Sequence, residues 1–167
     1  MQIKILVVDD DVEVLKSIGN MFTYLMKGYL VLNATSANQG LAMLKEQMPD
    51  VIIVDVRLGP SSGMDLIADY GRWIKEKRMS SYQPVVIVIT AYEDEGVKKR
   101  AEEYNVDAFL MKPFSKETII HAVIDGIAKI LHRELSFLDE IRGHQKKVVD
   151  KVNDVDKKLN GGTEGKV

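Results

Sequence analysis

The 167 residues contain no cysteine, so disulfides, thiolate nucleophiles and cysteine-bound zinc are excluded outright. A reducing compartment agrees with that absence. Neither sign of charge dominates: the formal net charge is -2, which leaves no basic footprint for nucleic acid and no polybasic signal for a membrane surface. Direct nucleic-acid binding by this chain is therefore not expected. Long apolar runs are missing as well. Nothing approaches the roughly 18 consecutive apolar residues of a spanning helix. The amino-terminal run Ile3-Lys4-Ile5-Leu6-Val7-Val8 is too short for a signal-peptide core and passes straight into acids. The expectations are no membrane association and a cytoplasmic location. What is there, 46% hydrophobic and 29% charged residues, suits a globular chain with room for one domain and an appendage.

The most informative stretch runs from Val51 to Gly63. Val51-Ile52-Ile53-Val54 is an apolar, mostly β-branched run, the pattern of a central parallel strand buried on both faces, and it stops abruptly on Asp55. Gly59, Pro60 and Gly63 then demand a tight, irregular loop. An aspartate at the carboxyl end of a strand lies on the edge where open α/β sheets bind ligands. Asp55 could there be a nucleophile, a metal ligand or a cap for the helix that follows.

The rest of the chain repeats this logic. Ile3 to Val8 reads as a strand ending on Asp9-Asp10-Asp11, and Val12, Leu15, Ile18 and Phe22 recur at helical spacing. Tyr29 to Asn33 is a short strand. Ser36 caps a helix that must stop by Pro49. A third helix follows Gly63 and a polar connection leads to Pro84. Val85 to Ile89 is a strand closing on Thr90, Asp94 to Tyr104 a charged helix, and Val106 to Met111 a strand closing on Lys112-Pro113. Ser115 caps a final helix. Strands alternating with helices, joined by right-handed crossovers, give an α/β fold with a doubly wound five-stranded parallel sheet. Asp9, Asp10, Asp55, Thr90 and Lys112 then all fall on one edge of one sheet.

Carboxylates crowded on that edge would repel by about 4 kcal/mol per close pair at an effective dielectric near 20. Hard oxygen ligands in an open cleft suit Mg²⁺ or Mn²⁺. Lys112 adds a cation and Thr90 a hydroxyl. Together such groups would stabilise a phosphoryl group being transferred to a carboxylate.

Four segments make a specific resemblance: Ile5-Leu6-Val7-Val8-Asp9-Asp10-Asp11, Val51 to Asp55 with Gly63 eight residues later, Val88-Ile89-Thr90-Ala91, and Met111-Lys112-Pro113-Phe114. In this order the chain resembles the receiver domain of two-component response regulators over roughly its first 120 residues. The resemblance implies the flavodoxin-like receiver fold, with Asp55 accepting a phosphoryl group from the phosphohistidine of a histidine kinase or phosphotransfer protein. It further implies direct Mg²⁺ binding by Asp10, a weaker or water-mediated role for Asp9, and the backbone carbonyl of Arg57 as a ligand beside Asp55. Thr90 and Lys112 would contact the phosphoryl oxygens, and the Lys112-Pro113 bond would be cis. Phe109 stands where the family carries a switch aromatic. Movement of Thr90 would let Phe109 turn inward and alter the face of the fourth helix, fifth strand and fifth helix. Such a protein is not a conventional enzyme; it catalyses its own aspartyl phosphorylation and slow dephosphorylation.

One departure is that Gly59 occupies the place where the family commonly has its loop proline, with Pro60 following. Arg57 and Tyr92, two residues beyond Asp55 and Thr90, are bulky groups placed to crowd an attacking water. Slow self-dephosphorylation is the expectation from them.

The final helix does not stop where a compact receiver would. Ile120, Ile124, Ile127, Leu131, Glu134, Leu138, Ile141, Gln145, Val148, Val152, Val155 and Leu159 are spaced by alternating fours and threes, and only Glu134 and Gln145 are polar. A seven-residue period held this long argues a coiled coil. Helical throughout, Ser115 to Asn160 would reach about 69 Å. Gly126 and Gly143 each cost a helix about 1 kcal/mol, with a kink or break expected near Gly143 if anywhere. The organisation is thus 1–126 a receiver domain, 127–160 an extended helix or coiled coil serving a homodimer, and 161–167 a flexible terminus. His121, His132 and His144 lack metal-ligand spacing and read as surface residues.

Two other functions share parts of this pattern. An aspartyl-phosphate hydrolase would carry a second acid two residues after its nucleophile, where Arg57 stands. A flavodoxin-like nucleotide binder would need a Gly/Ser/Thr-rich loop after the first strand in place of three acids. The rival of a different kind is a phosphorylation-independent dimerisation or adaptor module built on a receiver fold.

Overall fold

Strands buried on both faces of a parallel sheet need apolar side chains at successive positions, and the computed structural model of the protein places the apolar runs accordingly. It describes residues 2–25, 28–79, 81–92 and 94–160, with positions 25, 148, 152 and 154–160 described by backbone alone. The expected flexible terminus, 161–167, lies outside the described residues. The elements are β1 (Ile3–Val8), α1 (Val12–Leu25), β2 (Tyr29–Ala34), α2 (Ala37–Gln47), β3 (Val51–Asp55), β4 (Arg57–Leu58), β5 (Ser61–Ser62), α3 (Gly63–Glu76), β6 (Val85–Thr90), α4 (Glu95–Glu103), β7 (Ala108–Met111) and α5 (Lys116–Asn160).

The main sheet is five-stranded and parallel, in the order β2-β1-β3-β6-β7. Alternate residues of each strand feed two separate cores. Ile5, Val7, Val51, Ile53, Ile87 and Ile89 pack with Leu15, Ile18 and Phe22 of α1 and with Ile119 and Val123 of α5. On the other face Leu6, Val8, Ile52, Val54 and Val88 meet Leu44 of α2, Met64 and Ile67 of α3 and Ala101 of α4. The chain changes faces between β1 and β3, so the carboxyl ends of those two strands flank the topological switch point.

Three local features differ from the reading of the sequence. The segment after Asp55 is not irregular: β4 and β5 form an antiparallel pair, Leu58 opposite Ser61, closed by Gly59-Pro60. Gly59 has φ +60, the left-handed backbone that the first central position of a two-residue hairpin requires. The last strand of the sheet starts at Ala108 rather than Val106, and α4 starts at Glu95 because Asp94 is its cap, accepting from the Gly96 and Val97 N–H groups. α5 continues through Gly143 without a break.

By its contacts the chain divides into Met1–Ile130 and Leu131–Val167. The described part of the second unit is the rest of α5, and in it Leu131, Leu135, Phe137, Leu138 and Val149 are all more than two-fifths exposed. His144 Nδ1 lies 2.9 Å from the Glu140 carbonyl, one helical turn back. Among the described residues, no helix is long and apolar enough to cross a membrane.

Candidate phosphoryl-acceptor site at the carboxyl edge

Asp9 and Asp55 sit where their strands leave the core, and both are buried, 0% and 8% exposed. A buried carboxylate is costly unless hydrogen-bonded and paired. Here Lys112, at the end of β7, supplies both partners: its Nζ donates to Asp9 Oδ2 at 2.7 Å and also to Asp55 Oδ2. The remaining oxygens accept backbone N–H groups, Asp9 Oδ1 from Asp11 at 2.9 Å and Asp55 Oδ1 from Arg57 at 3.1 Å. Burial pushes the Asp9 carboxyl above its ordinary value, against the pull of the Lys112 hydrogen bond. Burial also pulls Lys112 down, but the hydrogen bonds and charges of Asp55 and Asp9 outweigh it and hold the ammonium above the usual lysine value.

The surrounding elements fit closely around Asp55. A Cβ on Gly63 would fall 2.0 Å from the Asp55 carbonyl oxygen, so only glycine lets α3 begin against the end of β3. The Gly63 N–H donates to the Val56 carbonyl, and the Val56 N–H to Ile89 of β6. The cap of α3 is Ser62, whose side chain accepts from the Met64 N–H. Asp55 is thus not needed as that cap.

Asp10 is exposed, and its Oδ2 accepts the Gly59 N–H at 2.9 Å, tying the hairpin to the end of β1. Thr90 is 1% exposed, and its hydroxyl exchanges hydrogen bonds with the Tyr92 backbone at 3.2 and 3.3 Å. The Arg57 guanidinium stacks over the Tyr92 ring at 3.6 Å from its centre. The Lys112-Pro113 bond is cis, and the Lys112 N–H donates to the Thr90 carbonyl at 2.7 Å. Phe109 is half-buried against the core that includes Val88, and with Lys98, Ala101, Glu102 and Val106 it lines a groove of about 270 Å³.

The structure therefore brings Asp9, Asp55 and Lys112 into direct contact, sets Thr90 and Asp10 on the same edge, and keeps Phe109 on the neighbouring β7. Among the described residues no three acidic or imidazole side chains converge on one metal position. The donor set nevertheless suits Mg²⁺, which keeps most of its waters and needs only one or two carboxylates. Among the described residues, Asp9, Asp10 and Asp55 set three carboxylates on this edge against the Lys112 ammonium, an excess of negative charge that a divalent cation would balance. Asp9, Asp10 and Asp55 are the side chains that could hold it. The Gly59 contact to Asp10 and the Arg57–Tyr92 stack were not evident in the sequence. A glycine at the first central position of a hairpin was the available signal for the former.

A family model described as the response regulator receiver domain matches residues 5–124. The chain is 32% identical over 123 residues to the transcriptional regulatory protein GlrR of Escherichia coli (strain K12), covering 74% of this chain and 26% of that protein. To the transcriptional regulatory protein KdpE of Mycobacterium tuberculosis it is 28% identical over 116 residues, covering 70% of this chain and 47% of the relative. It thus spans about a quarter to a half of the length of these curated relatives. Among solved structures, a response regulator receiver domain protein from Clostridium thermocellum superposes with a TM-score of 0.65 at 27% identity, over 80% of this chain and 98% of the other.

Proposed function

Because the chain belongs to the response regulator receiver family of two-component systems, we propose that Asp55 accepts a phosphoryl group from the phosphohistidine of a histidine kinase or phosphotransfer protein. The observation that carries this reading is the Lys112 ammonium held between the Asp9 and Asp55 carboxylates at the carboxyl edge of the sheet. The Asp55 carboxylate attacks phosphorus, the bond from phosphorus to the donor imidazole nitrogen breaks, and the imidazole keeps the electron pair. Asp10 and Asp55 with the Arg57 carbonyl, and Asp9 weakly or through a water, would hold Mg²⁺, which would supply positive charge to the phosphoryl oxygens. Lys112, already bonded to one Asp55 carboxylate oxygen, neutralises the negative charge that arrives with the group, and Thr90 donates its hydroxyl to it. A groove of about 360 Å³ lined by Ile18, Met21, Lys112 and Phe114 lies beside Lys112. An apolar donor helix would lie there.

In this reading Thr90 leaves the Tyr92 backbone for the phosphoryl group, and Phe109 turns into the space vacated. The protein works in the cytoplasm, and a second copy pairs with it through the tail helix. The test is intact-mass spectrometry after incubation with phosphoramidate and Mg²⁺. The wild type is expected to gain one phosphoryl group, whereas Asp55→Asn, or the wild type with chelator, gains none. A wild type that stays unmodified would leave the phosphorylation-independent adaptor as the better reading.

A further inference from the structure

We propose that the tail helix pairs with a second copy of this chain in antiparallel orientation, in the register where Glu134 of each copy meets Gln145 of the other. The inference rests on the homodimer reading above and adds its geometry. Among the described residues of the unit that begins at Leu131 the apolar side chains are open: Leu131 is 46%, Leu138 49% and Ile141 38% exposed, with Leu135 and Phe137 alongside at 61% and 62%. A helix draws most of its stability from an apolar face that packs, so this stripe needs cover.

The two polar positions of the seam say what covers it. In a parallel pair each seam residue meets its own copy. Glu134 would then face Glu134, two carboxylates pressed together in an apolar seam. In an antiparallel pair the two kinds of seam position face each other, and a single register brings Glu134 opposite Gln145. In that register 138 meets 141 and 131 meets 148, and each of these positions carries an apolar residue. The glutamate then accepts from the glutamine amide N–H, so the polar groups satisfy each other. Sliding by one heptad in either direction sets Glu134 against Leu138 or Val152, and Gln145 against Ile127 or Ile141. Both shifts bury polar groups against apolar ones, which selects the matched register over its neighbours. Gly143 falls on the outward side of this pattern, and nothing lies within 4 Å of a Cβ built on it. It therefore interrupts the helix surface and not the seam.

The absence of native cysteine makes the test direct. Full-length Leu131→Cys and Val148→Cys are prepared separately, mixed, dissociated, reassociated and oxidised, and the products are identified by intact mass. Expected is a mixed 131–148 disulfide at least tenfold above the self-linked product of either variant. Predominant self-linking overturns the orientation while leaving the homodimer in place. So does a dimeric mass with no 131–148 link. Sedimentation equilibrium of the wild type is run in parallel, and a monomer mass there would overturn the homodimer reading and this inference together.

Discussion

A single ammonium serves two buried carboxylates in this protein, and Lys112 can do so because β1, β3 and β7 end on the same edge of the sheet, within two register positions of one another. Arg57 of the β4–β5 hairpin and Tyr92 just after β6 show the same convergence. Both were legible as bulky residues two positions beyond Asp55 and Thr90, yet their stacking at 3.6 Å was not, because it depends on where two segments separated in sequence come together. An exposed cation–π pair contributes about 0.5–1 kcal/mol. If the pair shields the acyl phosphate from water, Arg57→Ala with Tyr92→Ala should shorten the phosphorylated lifetime by about two- to fivefold. Loss of phosphate followed by mass spectrometry measures this, and an unchanged lifetime removes the pair from the mechanism.

Elements, in turn, are positioned by their smallest residues. The strand and helix order was readable from apolar periodicity and caps, since Ser36 and Ser115 accept from the N–H groups of the helices that follow them. What the pattern did not reveal is the distinction between the two glycines of α5. A Cβ at Gly126 would lie 2.3 Å from Val85 Cγ1, so α5 comes close to β6 only because that side chain is missing. Gly143 has open space around it. Opposite effects follow in one helix. Gly126→Ala overpacks the core and should destabilise by about 1–3 kcal/mol, with the loss partly recovered by Val85→Ala. Gly143→Ala should stabilise by up to about 1 kcal/mol through helix propensity. Urea unfolding of the four proteins decides between them, and a loss at Gly143 equal to that at Gly126 would contradict the packing described.

At the scale of the whole molecule, stability at high pH is linked to groups on the acidic edge and far from it. Tyr70 stacks on Trp73 at 5.8 Å and meets Tyr82 edge-on at 6.4 Å, and the Tyr82 hydroxyl donates to the Pro49 carbonyl. Burial pushes both phenols above their ordinary value of 10.0. Above that pH the native state keeps protons that the unfolded chain releases, so stability falls as pH rises, by at most about 1.4 kcal/mol per pH unit for each group. Lys112, raised from 10.5, acts in the same direction at slightly higher pH. Thermal unfolding should therefore show a Tm that declines once pH passes about 10, with a shallower decline in Tyr82→Phe. An identical slope in that variant would rule out the Tyr82 phenol as a source. The sequence by itself determined which residues share the carboxyl edge, because in a sheet buried on both faces an apolar run must stop where its strand leaves the core. Asp9, Asp55, Thr90 and Lys112 are where those runs stop or just beyond. Only the tertiary structure decided that Lys112 pairs with Asp9 and Asp55 while Asp10 takes the Gly59 N–H, and that Gly126 must be a glycine. Those outcomes rest on distances between segments remote in the chain, set by how the strands align and how closely the helices approach them.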